Sequence, residues 1–186
     1  MTVAILYGFS EGPGLGGAFL RTLKQNGFEI IADPRQADVI VAHSGGCYLV
    51  PEESAAKLVV LIGESFWPGR PLLGRVIRKM QLDTASYWRA GHFIAWTIKQ
   101  FWHSIYFWDM PRNLAMWRRQ QPKTWPILAG KKVVHIRYKD DAFCTPAISK
   151  AGVLPGAEFV TLPGQHDELW IRPEQTLAVM LQMLSL

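Results

Sequence analysis

Six short apolar runs, rich in β-branched residues and each closed by turn residues, constrain this chain more than any other feature. They fall at 3–7, 28–32, 38–43, 57–62, 131–137 and 157–162. Helix-like stretches lie between most of them, at 15–25, 47–56 and 147–151, and a last one closes the chain at 173–184. Pro173 followed by Glu174 suits the first turn of that last helix. Strands that are apolar on both faces must be covered on both, and strands alternating with helices pair in parallel. The expected fold is α/β: a three-layer α/β/α sandwich around a mainly parallel sheet of about six strands.

The alternation breaks once, from about 71 to 126. There the pattern turns helical, with Phe93, Trp96, Phe101, Ile105 and Trp108 at spacings of three to five and Ile94, Ile98 and Trp102 widening the stripe. Pro111 is expected to end that helix. A chain of 186 residues supports one well-buried core more readily than two. The segment is therefore expected to be a helical insertion over a single α/β domain spanning 1–186.

The net charge of +5 has the same origin. Between 75 and 125 there are nine Lys/Arg and two Asp, together with six of the eight tryptophans. The remainder of the chain is slightly acidic. A general nucleic-acid binder spreads its charge along a face or tail, so nucleic acid is not the expected partner. Two cysteines, Cys47 and Cys144, are too few for a disulfide framework. No run reaches the ~18 apolar residues of a membrane span, and the first residues lack the features of a secretory signal. The expectation is a cytoplasmic protein.

Chemistry concentrates where parallel strands end. The run Val39-Ile40-Val41-Ala42 leads through His43 into Ser44-Gly45-Gly46, placing a serine at the C-terminal end of a buried strand. A sharp turn there needs small neighbours, which Ala42 and Gly46 supply, and leaves the Gly45 amide beside a developing oxyanion. A serine hydroxyl is a poor nucleophile without an imidazole to take its proton and a carboxylate to orient that imidazole. After the strand at 131–137 come Asp140 and Asp141, and after that at 157–162 comes His166. Serine, acid and histidine thus follow in order, each on a loop past a strand.

The segments around Ser44, Asp141 and His166 resemble the α/β-hydrolase superfamily, above all in the blocks "YKDDAFCTP" and "LPGQHDELWIRPE". The overall size is similar to small serine hydrolases of the retinoblastoma-binding-protein-9 and YdeN type. The resemblance implies that Ser44 is the nucleophile, His166 the general base and Asp141 the orienting acid, with Asp140 left open. It also implies that backbone amides of Gly45 and Phe9 form the oxyanion hole, and that the insertion at 71–126 is a cap shaping the pocket. No cofactor or metal is implied. The chain departs from the pattern at Tyr7, where a histidine precedes Gly8 in the family, and at Ala42 and Tyr138, where glycine is usual. Carboxylic esters with apolar acyl groups are the expected substrates. Rings beside Arg112, Arg118, Arg119 and Lys123 also suit an anionic lipid surface.

Two other classes remain open on the residues alone. Gly12, Gly14 and Gly17 fit G-x-G-x-x-G, and Asp33 lies near the position of a ribose-binding acid, as in a dinucleotide-binding protein. Against this, the first strand ends several residues before Gly12, whereas the true fingerprint turns directly off the strand. The departures at Tyr7, Ala42 and Tyr138 suit a third reading, a hydrolase-like fold retained for binding without catalysis. The histidines His43, His92, His103 and His135 show no metal-ligand spacing.

Overall fold

The computed structural model describes residues 1–8, 16–63, 94, 98, 130–141 and 156–185. Among the described residues six parallel strands form one sheet: β1 (Thr2–Leu6), β2 (Glu29–Ile30), β3 (Val39–His43), β4 (Leu58–Ile62), β5 (Lys132–Tyr138) and β6 (Glu158–Leu162). Helix α1 (Gly17–Gln25) follows β1, and α2 (Glu168–Ile171) and α3 (Pro173–Ser185) follow β6. The α/β sheet expected from the apolar runs is present, with strand ends within one or two residues of those runs.

Every residue of β3 and β4 is buried, as strands covered on both faces require. Alternation sorts their side chains into two cores. Val3, Val39, Val41, Leu58, Val60, Ile62, Val134, Ile136 and Tyr138 meet Phe19 and Leu23 of α1, Leu169 and Trp170 of α2, and Leu177, Met180 and Met183 of α3. Ala4, Ile40, Ala42, Val59, Leu61 and Val133 face the other way, toward Cys47, Val50 and Ala56. At the N-terminal edge, Asp38 ties β3 to β1. Its Oδ2 accepts from the Thr2 amide at 2.9 Å and the Thr2 hydroxyl at 3.1 Å. Those bonds, with Lys57 nearby, hold its carboxyl below the usual aspartate range.

The strand order is β2-β1-β3-β4-β5-β6. From β1 the chain crosses to one side to make β2, then returns to the other side of β1 to make β3. The connections therefore diverge between β1 and β3, and in open α/β sheets it is past the C-terminal ends of strands at such a switch point that ligands bind. Dinucleotide-binding sheets of the first class run 3-2-1-4-5-6, which this sheet does not. Asp33 is occupied locally: its carboxylate accepts from the Arg35 amide at 2.9 Å and from the Gln36 side chain at 3.3 Å. Gly17 is the first residue of α1, while Gly12 and Gly14 lie outside the described residues.

One expected helix is absent. In place of a helix at 47–56, a two-turn 3-10 helix runs over Ser44–Leu49. Pro51 pushes the preceding residue toward extended backbone, and Val50 adopts φ −57°, ψ 123°, which ends the turn. Of the insertion at 71–126 only Ile94 and Ile98 are described; both are helical, and Ile94 is exposed. The expected helix at 147–151 and Cys144 lie outside the described residues. Among the described residues no helix is long and apolar enough to cross a membrane.

His135 on β5 is buried, with its ring edge-on to Phe159 of β6 at 4.7 Å. Burial, helped by the charge of Arg137, lowers its pKa from 6.5 to about 4. The folded value lies below the unfolded one, so the unfolded chain binds more protons between them. Stability is complete above pH 6.5 and falls as the pH drops toward 4, by on the order of 3 kcal/mol from this group. Urea unfolding at pH 7 and pH 4.5 measures that loss, and His135→Leu is expected to flatten it. An unchanged slope in the variant would place the acid sensitivity elsewhere.

Candidate active site

Ser44 follows β3 directly and has φ 51°, the one positive φ at a non-glycine among the described residues. Left-handed backbone is unfavourable for a serine by about 1 kcal/mol or more, and it persists only where its surroundings impose it. Here the constraint is the end of β1. A Cβ on Gly46 would collide with the Leu6 carbonyl oxygen and lie 2.6 Å from the Leu6 carbonyl carbon and 2.9 Å from that of Tyr7. Glycine at 46 lets the turn press against β1, which reverses the chain tightly and leaves Ser44 half-buried at the C-terminal end of β3. Ala42 is buried and registers with Leu6, so the alanine in place of glycine is accommodated. Gly45 is buried in the same turn, and Phe9 lies outside the described residues.

The acid and histidine loops are joined by a continuation of the β5–β6 pairing. The Lys139 amide donates to Leu162 O at 2.8 Å, and the Asp140 amide to Gly164 O at 3.0 Å. The Asp141 amide turns back to Tyr138 O at 3.2 Å. This zipper leaves Asp140 exposed and buries Asp141. Asp141 Oδ2 lies 2.7 Å from His166 Nδ1, both side chains being nearly inaccessible to water. A carboxylate accepts only, so Nδ1 carries the proton and Nε2 is the nitrogen left with a lone pair. Of the two aspartates left open by the sequence, Asp141 is the partner of His166.

Glu168 shapes the histidine loop. Its Oε2 accepts from the Gln165 amide at 3.1 Å, its own amide donates to Gln165 O at 3.0 Å, and its Oε1 pairs with Arg172 Nε at 3.2 Å. Gly164, at φ 127°, lies beneath that folded-back side chain. Tyr138 at the acid loop is buried, and its hydroxyl bonds Thr176 Oγ1 of α3 at 3.0 Å. Burial, with Glu168 and Asp141 nearby, pushes this phenol above its ordinary pKa, so it stays neutral. Tyr7 stacks on Trp170, centroids 5.5 Å apart, above Gly16. Both tyrosines thus have packing roles compatible with the His166–Asp141 geometry.

Two residues of the site were not singled out from the sequence. Gly63 follows β4 at φ 57°, and a Cβ there would lie 3.0 Å from the His166 ring and 3.3 Å from Asp141 Oδ2. A glycine directly after a fully apolar central strand, at the same sheet edge, was the available signal. His43 is the second. It was visible as the polar last residue of an otherwise apolar strand, and its Nε2 lies 2.8 Å from the His166 backbone carbonyl. His43, His166 and Asp167 together bring one potential metal-ligand atom each within 4.8 Å of one another. Sequence spacing could not show this, since 123 positions separate the two histidines. Each imidazole already commits one ring nitrogen to a protein partner.

No protein-family model matches the chain, and no curated protein is similar to it in sequence. Solved structures are similar in fold. An enol-lactonase from Burkholderia xenovorans superposes with a TM-score of 0.70 at 13% identity, over 100% of this chain and 91% of that one. An esterase from Thermogutta terrifontis gives 0.66 at 16% identity, over 100% and 89%. An α/β hydrolase from the metagenome of Mar Chica lagoon sediments gives 0.62 at 11%, over 100% and 90%. The chain has the α/β-hydrolase fold.

Proposed function

We propose that this protein is a serine hydrolase that cleaves carboxylic esters or related acyl substrates through an acyl-enzyme. The observation that carries the reading is the His166–Asp141 bond of 2.7 Å, buried beside a sheet edge where Ser44 is held at φ 51°. Ser44 Oγ attacks the acyl carbonyl as His166 Nε2 takes its proton. Asp141 holds the imidazole in the Nδ1–H tautomer and stabilises the imidazolium that forms. Backbone amides of Gly45 and Phe9 receive the oxyanion. His166 then returns the proton to the leaving alcohol, and water, activated by the same nitrogen, releases the acid and Ser44. The steps require no cofactor.

The aromatic segment at 71–126, read as a cap, favours apolar acyl groups. Its arginines favour substrates or surfaces with negative charge. A panel of p-nitrophenyl esters of rising chain length tests the acyl preference and the role of Ser44. Wild type is expected to turn over medium acyl chains faster than acetate, and Ser44→Ala to lose at least about 10⁴-fold in kcat on all of them. Equal turnover by Ser44→Ala would overturn the reading.

A further inference from the structure

The mechanism leaves His43 unused, yet this residue is fully buried, ends β3 and directly precedes Ser44. Its Nε2 is 2.8 Å from the His166 carbonyl oxygen, which accepts only, so the His43 ring is protonated at Nε2 and donates. The ring also meets the His166 ring at 4.9 Å and stands edge-on to Trp170 at 5.2 Å. Trp170 lies on α2, four residues beyond His166. One imidazole on the strand of the nucleophile therefore touches both ends of the segment that carries the base.

The two contacts to His166 constrain different things. Asp141 holds a ring atom, and the backbone at 166 is a separate point of attachment. The His43 N–H holds that backbone. An apolar side chain at 43 would suit the buried strand better, since it would have no donor to desolvate. We infer that His43 is a positioning residue, registering the base-bearing loop against the nucleophile strand; this rests on the serine-hydrolase reading above. An ångström of misplacement between Ser44 and His166 costs the proton transfer far more than it costs substrate binding.

His43→Phe keeps an aromatic ring against Trp170 and removes the donor. It is expected to lower kcat for a p-nitrophenyl ester roughly 10- to 100-fold with KM within about twofold. His43→Gln, which retains a side-chain N–H, is expected to recover most of that loss. A purely packing role predicts the reverse ranking, with His43→Phe the better enzyme, and that result would overturn the inference. In wild-type protein with ¹⁵N-labelled histidine, NMR is expected to show His43 protonated at Nε2. A bare Nε2 there cannot donate and would overturn the inference even if neither variant folds. Fluorophosphonate labelling separates the two levels. Normal labelling of Ser44 with full kcat in His43→Phe removes this inference alone, whereas no labelling of wild type removes the hydrolase reading as well.

Discussion

Asp141→Asn is expected to lower kcat for ester hydrolysis by about four orders of magnitude, with KM little changed, while Asp140→Asn stays within about twofold of wild type. The carboxylate of Asp141 is 2.7 Å from His166 Nδ1 and buried. An asparagine there can turn its NH₂ toward Nδ1, which moves the ring proton to Nε2. That nitrogen then donates and cannot accept from Ser44. Asp140 contributes to the site through its backbone, whose amide bonds Gly164 O at 3.0 Å, so its exposed carboxylate is dispensable. Steady-state kinetics on the two variants decide between neighbours that differ by one position. Equal losses in both, or a larger loss in Asp140→Asn, would contradict the geometry.

Gly46→Ala is expected to be the most damaging single-methyl change in the described part of the chain. The added carbon meets backbone atoms of Leu6 and Tyr7, not the end of a flexible side chain, so relief requires β1 and the Ser44 turn to part. Overpacking of this kind costs about 3 kcal/mol, which for a chain of this size lowers Tm by roughly 10 °C. Because the same movement relaxes the backbone at Ser44, residual activity is expected to fall further than stability alone explains. Ala substituted at Gly130 or Gly156 meets no neighbouring atom within 4 Å and carries only the strain of a positive φ, which Gly46 does not have, so these variants set the cost of an added methyl without a clash at its upper end. Thermal melting of the three variants measures the difference. A Gly46→Ala protein as stable as those controls would contradict the close approach to β1.

The strands were legible because burial on both faces leaves an unambiguous record: β3 and β4 contain only apolar residues up to His43 and Ile62. The positions of Ser44, Asp141 and His166 were legible because each lies on the loop after an apolar run, although β6, before His166, is exposed or half-buried along its length. The helix expected at 47–56 failed because Pro51 ends the 3-10 helix that starts at Ser44, and propensity over so few residues carries little weight. At four residues, α2 is too short to show a helical period. The choice of Asp141 over Asp140 depends on which way a two-residue zipper turns, and identical side chains at adjacent positions hold no information about that. Gly63 and His43 were overlooked because their importance lies in contacts with residues more than 75 positions away. Tyr7 and Tyr138, which departed from the family pattern, sit in aromatic and helix-packing contacts with Trp170 and Thr176.

The central claim is that Ser44 is a nucleophile activated by His166, and covalent labelling addresses it most directly. Wild-type protein treated with a fluorophosphonate, digested and mapped by mass spectrometry is expected to carry one adduct, on Ser44. The rate of labelling is expected to fall sharply in Asp141→Asn, and the adduct to be absent from Ser44→Ala. An unlabelled wild type, or an adduct on any other residue with Ser44 unmodified, would contradict the account.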